Sequence, residues 1–272
     1  MVNNKCIVVL SHSSYSDIWE LTINSFKTKI ENSADYDYYI TTNLINNEQK
    51  KLLSENNFSY LTYSENISWG ESFKEIGNTL YQLNYDYILF SYDDLIILNI
   101  DSKKLLGIFN SMKSNDLDYV QIKNGYRSWF NISKLYFNEK LHLVNDNDTY
   151  KGSLVFSIIS KDLLLRIINV DELISYSPWQ YEISIHKFLK GIQFYCVPKS
   201  IVEFSNVIIK GQIDKFALKR ALKNNLVKYN GKRDFFDNRN LIKFKLKEIV
   251  FVVGKNLIPN YLFGLIRNFK NK

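Results

Sequence analysis

Two hydrophobic periods alternate along the chain. Lys5-Cys6-Ile7-Val8-Val9-Leu10-Ser11 is a short apolar run closed by small polar residues, which predicts a buried strand. Residues 15–30 then carry Ile18, Trp19, Ile23, Phe26 and Ile30 at helical spacing. Tyr36 to Thr41 predicts a second strand, 47–56 a polar helix, and Phe58 to Thr62 a third strand. Over 70–83, Phe73, Ile76, Leu80 and Leu83 share one stripe of an amphipathic helix. Tyr85 to Phe90 is a strongly apolar strand; Asp93-Asp94 follows it, and Leu95 to Leu98 resumes the apolar run.

This β-α-β-(α)-β-α-β order predicts an α/β fold: a mostly parallel sheet with helices on both faces. Ligands of such sheets bind beyond the carboxyl ends of the strands. Ser11 to Ser14, residues 64–69 and Asp93-Asp94 all fall at those ends and are expected to converge. The alternation continues with a helix over 102–114, a strand from Asp118 to Ile122, and an irregular stretch over 124–150 rich in aromatics and Asn. Then come a strand from Ser153 to Ile159, helices over 161–168 and 178–190, and a strand from Ile192 to Val197. From 212 onward the chain reads as basic helix and connector.

Composition narrows the class. At 272 residues and 46% hydrophobic content the chain can bury a core without disulfides. Cys6 and Cys196 sit far apart in apolar runs, with no Cys or His neighbours at metal-ligand spacing, so buried reduced thiols are expected. No secretory signal is expected at the start, and no run of 18 apolar residues predicts a membrane-spanning helix. Gly-x-Gly-x-x-Gly, P-loop and Gly-x-Ser-x-Gly motifs are absent, which disfavours dinucleotide redox chemistry, P-loop hydrolysis and serine hydrolysis. Charge is uneven. Residues 210–272 hold 16 Lys/Arg against 4 Asp/Glu, and the preceding residues hold 19 against 24. A basic tail on a mildly acidic body predicts an anionic partner for the tail.

The chemistry concentrates at Asp93-Asp94. Adjacent carboxylates at a strand end repel unless a cation or hydrogen-bond donors offset them, and a divalent metal on a diphosphate is one such cation. A turn or helix cap is the plainer alternative. Ser68-Trp69-Gly70-Glu71-Ser72 reads as a capped helix start, where backbone N–H groups also suit phosphate. Ser177, Pro178 and Gln180 make a second capped start, and Glu182 just beyond is either a functional carboxylate or a solvated charge. His12 ends the first strand, as a pocket residue or an ordinary loop histidine. His186 shares a helix face with Glu182 at four residues' spacing.

The stretch from Tyr85 to Leu95 resembles the Asp-x-Asp region of GT-A-fold glycosyltransferases, with Tyr92 where the first acidic residue often stands. The turn Ser68 to Ser72, the Pro178-Trp179-Gln180-Tyr181-Glu182 segment and Asn206 to Gly211 resemble further pieces of bacterial polysaccharide glycosyltransferases. The likeness runs diffusely over about residues 5–215. It implies a GT-A-like catalytic domain over 1–211, with a nucleotide-sugar half to about 100, an acceptor half beyond, and a basic helical extension over 212–272. It also implies Mn²⁺ or Mg²⁺ on Asp94, and donor contacts from Ser11, His12, Trp69, Gly70, Asp93 and Lys210. Glu182 would be the base that deprotonates the acceptor hydroxyl, and His186 a further metal ligand.

The implied function is transfer of a sugar from a nucleotide-diphosphate donor to a glycan or lipid-linked acceptor, in surface polysaccharide synthesis. The alternatives are a sugar-phosphate nucleotidyltransferase and a non-catalytic module binding membrane or nucleic acid. The first normally carries a Gly-rich basic loop after its first strand, and Leu10 to Ser14 has no Gly, Arg or Lys. Residues 241–272 mix Lys/Arg with Leu, Ile and Phe, a pattern suited to an anionic membrane surface. No nucleic-acid partner is expected, because the tail matches no such motif. The expected location is cytoplasmic, peripheral at the inner face of the plasma membrane.

Overall fold

The structure, a computed structural model, describes residues 4–123, 132–137 (backbone only), 141–144, 148, 151–225, 228–237 and 240–246. The first half alternates strands and helices: β1 (Lys5–Leu10), α1 (Trp19–Lys29), β2 (Asp37–Thr42), α2 (Asn47–Glu55), β3 (Phe58–Thr62), α3 (Trp69–Leu83) and β4 (Tyr87–Tyr92). β5 (Leu95–Ile100), α4 (Ser102–Ser114) and β6 (Tyr119–Gln121) follow, and then β7 (Ile132–Phe137), β8 (Leu141–Val144), β9 (Ser157–Ser160) and α5 (Lys161–Ile168). The chain continues through α6 (Pro178–Phe188), β10 (Phe194–Cys196), β11 (Val202–Asn206), β12 (Ile208–Ile209), β13 (Gln212–Ile213) and α7 (Lys215–Asn225).

The sheet runs β3-β2-β1-β4-β9-β6-β10-β8-β7. β3, β2, β1 and β4 pair in parallel, β9 reverses against both β4 and β6, and β10 returns parallel to β6. Only β9 and β8 oppose the common direction. The chain therefore has a GT-A-like mixed α/β sheet. The apolar side chains of β1 alternate between two cores. Ile7 and Val9 pack with Trp19, Phe26, Leu53 and Phe109 from α1, α2 and α4. Cys6 and Val8 pack with Phe73, Leu80, Leu164 and Tyr181 from α3, α5 and α6. Both cysteines are free, buried thiols.

Three expectations shift in detail. The helix expected from 15 opens as a 3-10 turn over Ser13–Ile18, with His12 as its cap. The strand expected from Ser153 is shorter, because Phe156 takes a left-handed φ of 49° that interrupts extended pairing before Ser157. The stretch 124–150, expected to be irregular, contains β7 and β8 paired antiparallel. Its calls on 124–131, 138–140, 145–147, 149 and 150 lie outside the described residues.

β5 and β11 pair antiparallel in a separate two-stranded sheet. β12 and β13 form a hairpin whose two turn residues, Lys210 and Gly211, both take positive φ (51° and 79°). The boundary expected at 211 falls within that turn. Beyond it, Leu218 and Ala221 of α7 are buried with Ile18, Leu21, Ile96 and Leu98. Asp214 accepts from the N–H groups of Phe216 (3.0 Å) and Ala217 (3.1 Å), capping α7. The described part of the basic extension thus packs on the body. Residues 247–272, most of the proposed membrane segment, lie outside the described residues. Among the described residues no helix is long and apolar enough to cross a membrane.

Candidate functional site

The carboxyl ends of β1, β2, β3 and β4 open on a cleft of about 330 Å³. Ser11 and His12 reach it from β1, Thr41 and Asn43 from β2, Tyr63 from β3, and Tyr92, Asp93 and Asp94 from β4. Trp69 and Phe73 enter from the first two turns of α3, and Pro178 from the start of α6. The convergence expected from sequence is present: Ser11, His12, Trp69, Asp93 and Asp94 line one cavity.

Asp93 and Asp94 form the turn between β4 and β5, and they differ in environment. Asp93 is buried. Its carboxylate accepts a short hydrogen bond from Ser11 Oγ, and Ser11 Oγ in turn accepts from Trp19 Nε1 (2.8 Å). Its backbone is held on both sides, since its N–H donates to Leu10 O (3.2 Å) and its carbonyl accepts from Thr22 Oγ1 (2.6 Å). Asp94 is half-buried and faces the cleft. Burial raises its carboxyl to about 6, and burial together with the Asp94 charge raises Asp93 well above the usual carboxylate range. The turn gathers two carboxyl groups, and the charge of Arg233 offsets Asp93 only in part.

Ser11 is a hub. Its N–H donates to Thr41 Oγ1 (2.9 Å) and its carbonyl accepts from the Tyr63 hydroxyl (3.0 Å), tying three strand ends together. His12 is exposed, and its Nδ1 accepts from Ser14 N (3.1 Å). Trp69 stacks on Phe73 at 5.3 Å and meets Tyr181 edge-on at 5.2 Å. Ser68 caps α3, as read from sequence, and Glu71 completes a capping box with it.

Two expected donor residues do not line the cleft. Gly70 is buried against the protein's own backbone: a Cβ there would lie 2.1 Å from Leu173 O and 2.5 Å from Ile174 O. Its close approach serves the packing of α3 on the 3-10 turn Asp171–Ser175. Lys210 is exposed at the hairpin tip, where its left-handed φ answers to the turn. Glu182 also stands off the cleft lining. Its carboxylate accepts from Ser153 Oγ (2.8 Å), and burial raises its pKa above the ordinary value. Tyr92 links the two regions. Its hydroxyl is buried and has no hydrogen-bond partner among the described residues, and the charges of Glu182 and Asp94 both bear on it.

Sequence reasoning missed Tyr15, Thr41, Asn43 and Tyr63 in the cleft, and Arg233 behind it. The strand-end position of Thr41 and Tyr63 was a usable signal. Arg233 gave none, since it sits among many basic residues of the extension.

The residues can be weighed against the implied metal. A hard divalent cation often takes one or two carboxylates and fills its remaining positions with substrate phosphate and water. Asp94, open to the cleft beside a second raised carboxyl, fits that demand. Among the described residues no group of three or more His, Cys, Asp or Glu side chains converges as a metal site, so His186 does not join the pair.

No protein-family model and no curated protein matches this chain. Among solved structures, a cytidylyltransferase from Leptospira borgpetersenii serovar Hardjo-bovis (strain JB197) superposes with a TM-score of 0.51 at 12% identity, covering 95% of this chain and 100% of that one. Residues 1–349 of TarS from S. aureus give 0.45 at 18% identity, covering 71% of this chain and 60% of theirs. Apo UDP-glucose pyrophosphorylase gives 0.45 at 9% identity, covering 83% and 97%. At 12% identity the likeness to the cytidylyltransferase is one of fold, and it agrees with the mixed α/β sheet whose strand ends form the cleft.

Proposed function

We propose that the protein is a nucleotide-sugar-dependent glycosyltransferase that moves a sugar from a nucleoside diphosphate to a glycan or lipid-linked acceptor. The observation that carries this reading is the cleft at the parallel strand ends, with an open, cation-seeking carboxylate at its inner edge and aromatic rings along its walls. Tyr15, Tyr63 and Trp69 offer apolar faces for a base or a sugar ring. Asp94 would hold Mn²⁺ or Mg²⁺, with Asp93 fixed behind it by Ser11. That ion would supply charge stabilisation of the departing diphosphate.

Glu182 is the proposed base. In an inverting transfer it takes the proton of the acceptor hydroxyl. The acceptor oxygen then bonds to the anomeric carbon, and the bond from that carbon to the diphosphate oxygen breaks. Its half-buried setting and raised pKa suit a base working near neutral pH. Surface polysaccharide synthesis and a peripheral position at a membrane belong to the same proposal, through the basic segment 241–272.

Sugar-phosphate nucleotidyl transfer uses the same kind of fold, and one assay separates the two. Release of nucleoside diphosphate from a nucleotide sugar, stimulated by Mn²⁺, is expected for the glycosyltransferase. Exchange of labelled pyrophosphate into a nucleoside triphosphate, without diphosphate release, would replace this reading with the other.

A further inference from the structure

A segment far along the chain packs behind the cleft wall. Residues 228–237 run back across the 3-10 turn after β1, and the segment is hydrogen-bonded to β13. Ile213 N donates to Asp234 O and Phe236 N to Ile213 O, each at 2.8 Å. From this strap Arg233 projects inward and engages two separate pieces of the protein, the 3-10 turn after β1 and the β12–β13 hairpin turn. Its Nε and Nη2 donate to the Asp17 carboxylate at 3.2 and 2.7 Å, a two-point grip. Its Nη1 donates to Gly211 O at 3.0 Å, and Nη2 also donates to Ser14 O. Tyr229 on the same strap donates to Asp17 Oδ2 at 2.7 Å.

The guanidinium lies over the ring of Tyr15, 4.6 Å from its centroid. Tyr15 lines the cleft beside Asp93 and Asp94, whose charges both act on its hydroxyl. Arg233 does not line the cleft. Its donors are directed at Asp17 and backbone carbonyls, leaving it well placed to hold a neighbour rather than a ligand. The strap, the hairpin turn and the turn after β1 are thereby locked around one aromatic side chain. A lysine could satisfy one of these partners, not the planar set.

We propose that Arg233 is a positioning residue for nucleotide binding, which reaches from the C-terminal strap to fix Tyr15 as a wall of the cleft beside the acidic pair. This inference rests on reading the cleft as a nucleotide site. It makes the strap part of that site, so that a chain cut after residue 225 would bind nucleotide poorly even with Asp93 and Asp94 intact.

The test is a double-mutant cycle on the full chain with R233K, Y15L and the combined variant, and D94N as reference. Affinity for UDP, GDP and CDP is measured by calorimetry with Mn²⁺. Nucleotide-sugar consumption gives KM and kcat, and melting temperatures are taken without ligand. R233K is expected to weaken the best-bound nucleotide about tenfold. KM should rise with kcat little changed, and the combined variant should be no weaker than Y15L alone, because both substitutions act through one ring. Wild-type affinity in folded R233K, or effects of R233K and Y15L that simply add, would overturn the positioning role while D94N still reports on the cleft. If the wild-type protein binds none of the three nucleotides, the reading of the cleft fails and the role of Arg233 with it.

Discussion

Two carboxyl groups on consecutive residues, one held by Ser11 and one open to the cleft, repel each other, and the charge of Arg233 offsets Asp93 only in part. Asp94→Asn removes that repulsion and the cost of keeping the charge half-buried. In the metal-free protein at neutral pH it should raise stability by about 1 kcal/mol, some 2–4 °C in melting temperature for a chain of this size. Turnover should fall by about a hundredfold or more. A loss of both stability and activity would show that Asp94 holds the fold instead. Glu182 has a pH signature. Its pKa is raised, chiefly by burial, so it becomes a free base only at a pH above the ordinary carboxylate range. The rate should climb with pH through that raised pKa, and Glu182→Gln should lower kcat, flatten this limb and leave donor affinity unchanged. The sign for stability is the reverse. A raised carboxyl favours the fold below its unfolded pKa, and that contribution is lost as pH rises through the folded value. At this scale the sequence was readable where chemistry is local. An acidic pair after an apolar strand can be recognised in ten residues. Whether Gly70 faces a ligand or the carbonyl of Leu173 depends on a partner a hundred residues away.

Elements were legible in proportion to how far their reasons are local. α3 and α6 carry their own capping boxes, Ser68 with Glu71 and Ser177 with Gln180, and their starts could be read directly. β1 and β4 are apolar runs bounded by polar residues. By contrast β11 exists because it pairs with β5, about a hundred residues earlier, and β12 and β13 are two residues each. No window of sequence contains those reasons. The junction of α3 with the turn Asp171–Ser175 yields a sharp prediction. Gly70→Ala would place a Cβ 2.1 Å from Leu173 O, and both neighbours are backbone that cannot rotate aside. The substitution should cost about 1–3 kcal/mol and displace Trp69 at the edge of the cleft. Thermal melting and nucleotide affinity should fall together, and an unperturbed Gly70→Ala protein would contradict the packing described for α3.

Across the whole molecule, charge and architecture divide the work. The mixed sheet gathers the carboxyl ends of four parallel strands around the cleft, and the C-terminal segment folds back onto that same end through Arg233. At 240–246 the chain still touches the body, with Leu241 buried and Lys245 bonded to Asp214 at 3.1 Å. Ile242 and Leu246 on this stretch are exposed. If the remaining segment docks on an anionic surface, full-length protein should sediment with anionic vesicles at low salt and be released at high salt. A 1–246 truncation should remain in solution, and equal binding by the two proteins would remove the membrane role. The central claim concerns the cleft, and one measurement addresses it most directly. Thermal shift with UDP-glucose, UDP-N-acetylglucosamine and GDP-mannose, each with and without Mn²⁺, should show at least one nucleotide sugar that stabilises the wild-type protein only when Mn²⁺ is present, and Asp94→Asn should abolish that shift. No Mn²⁺-dependent stabilisation by any of them, or an equal shift in folded Asp94→Asn, would contradict the account.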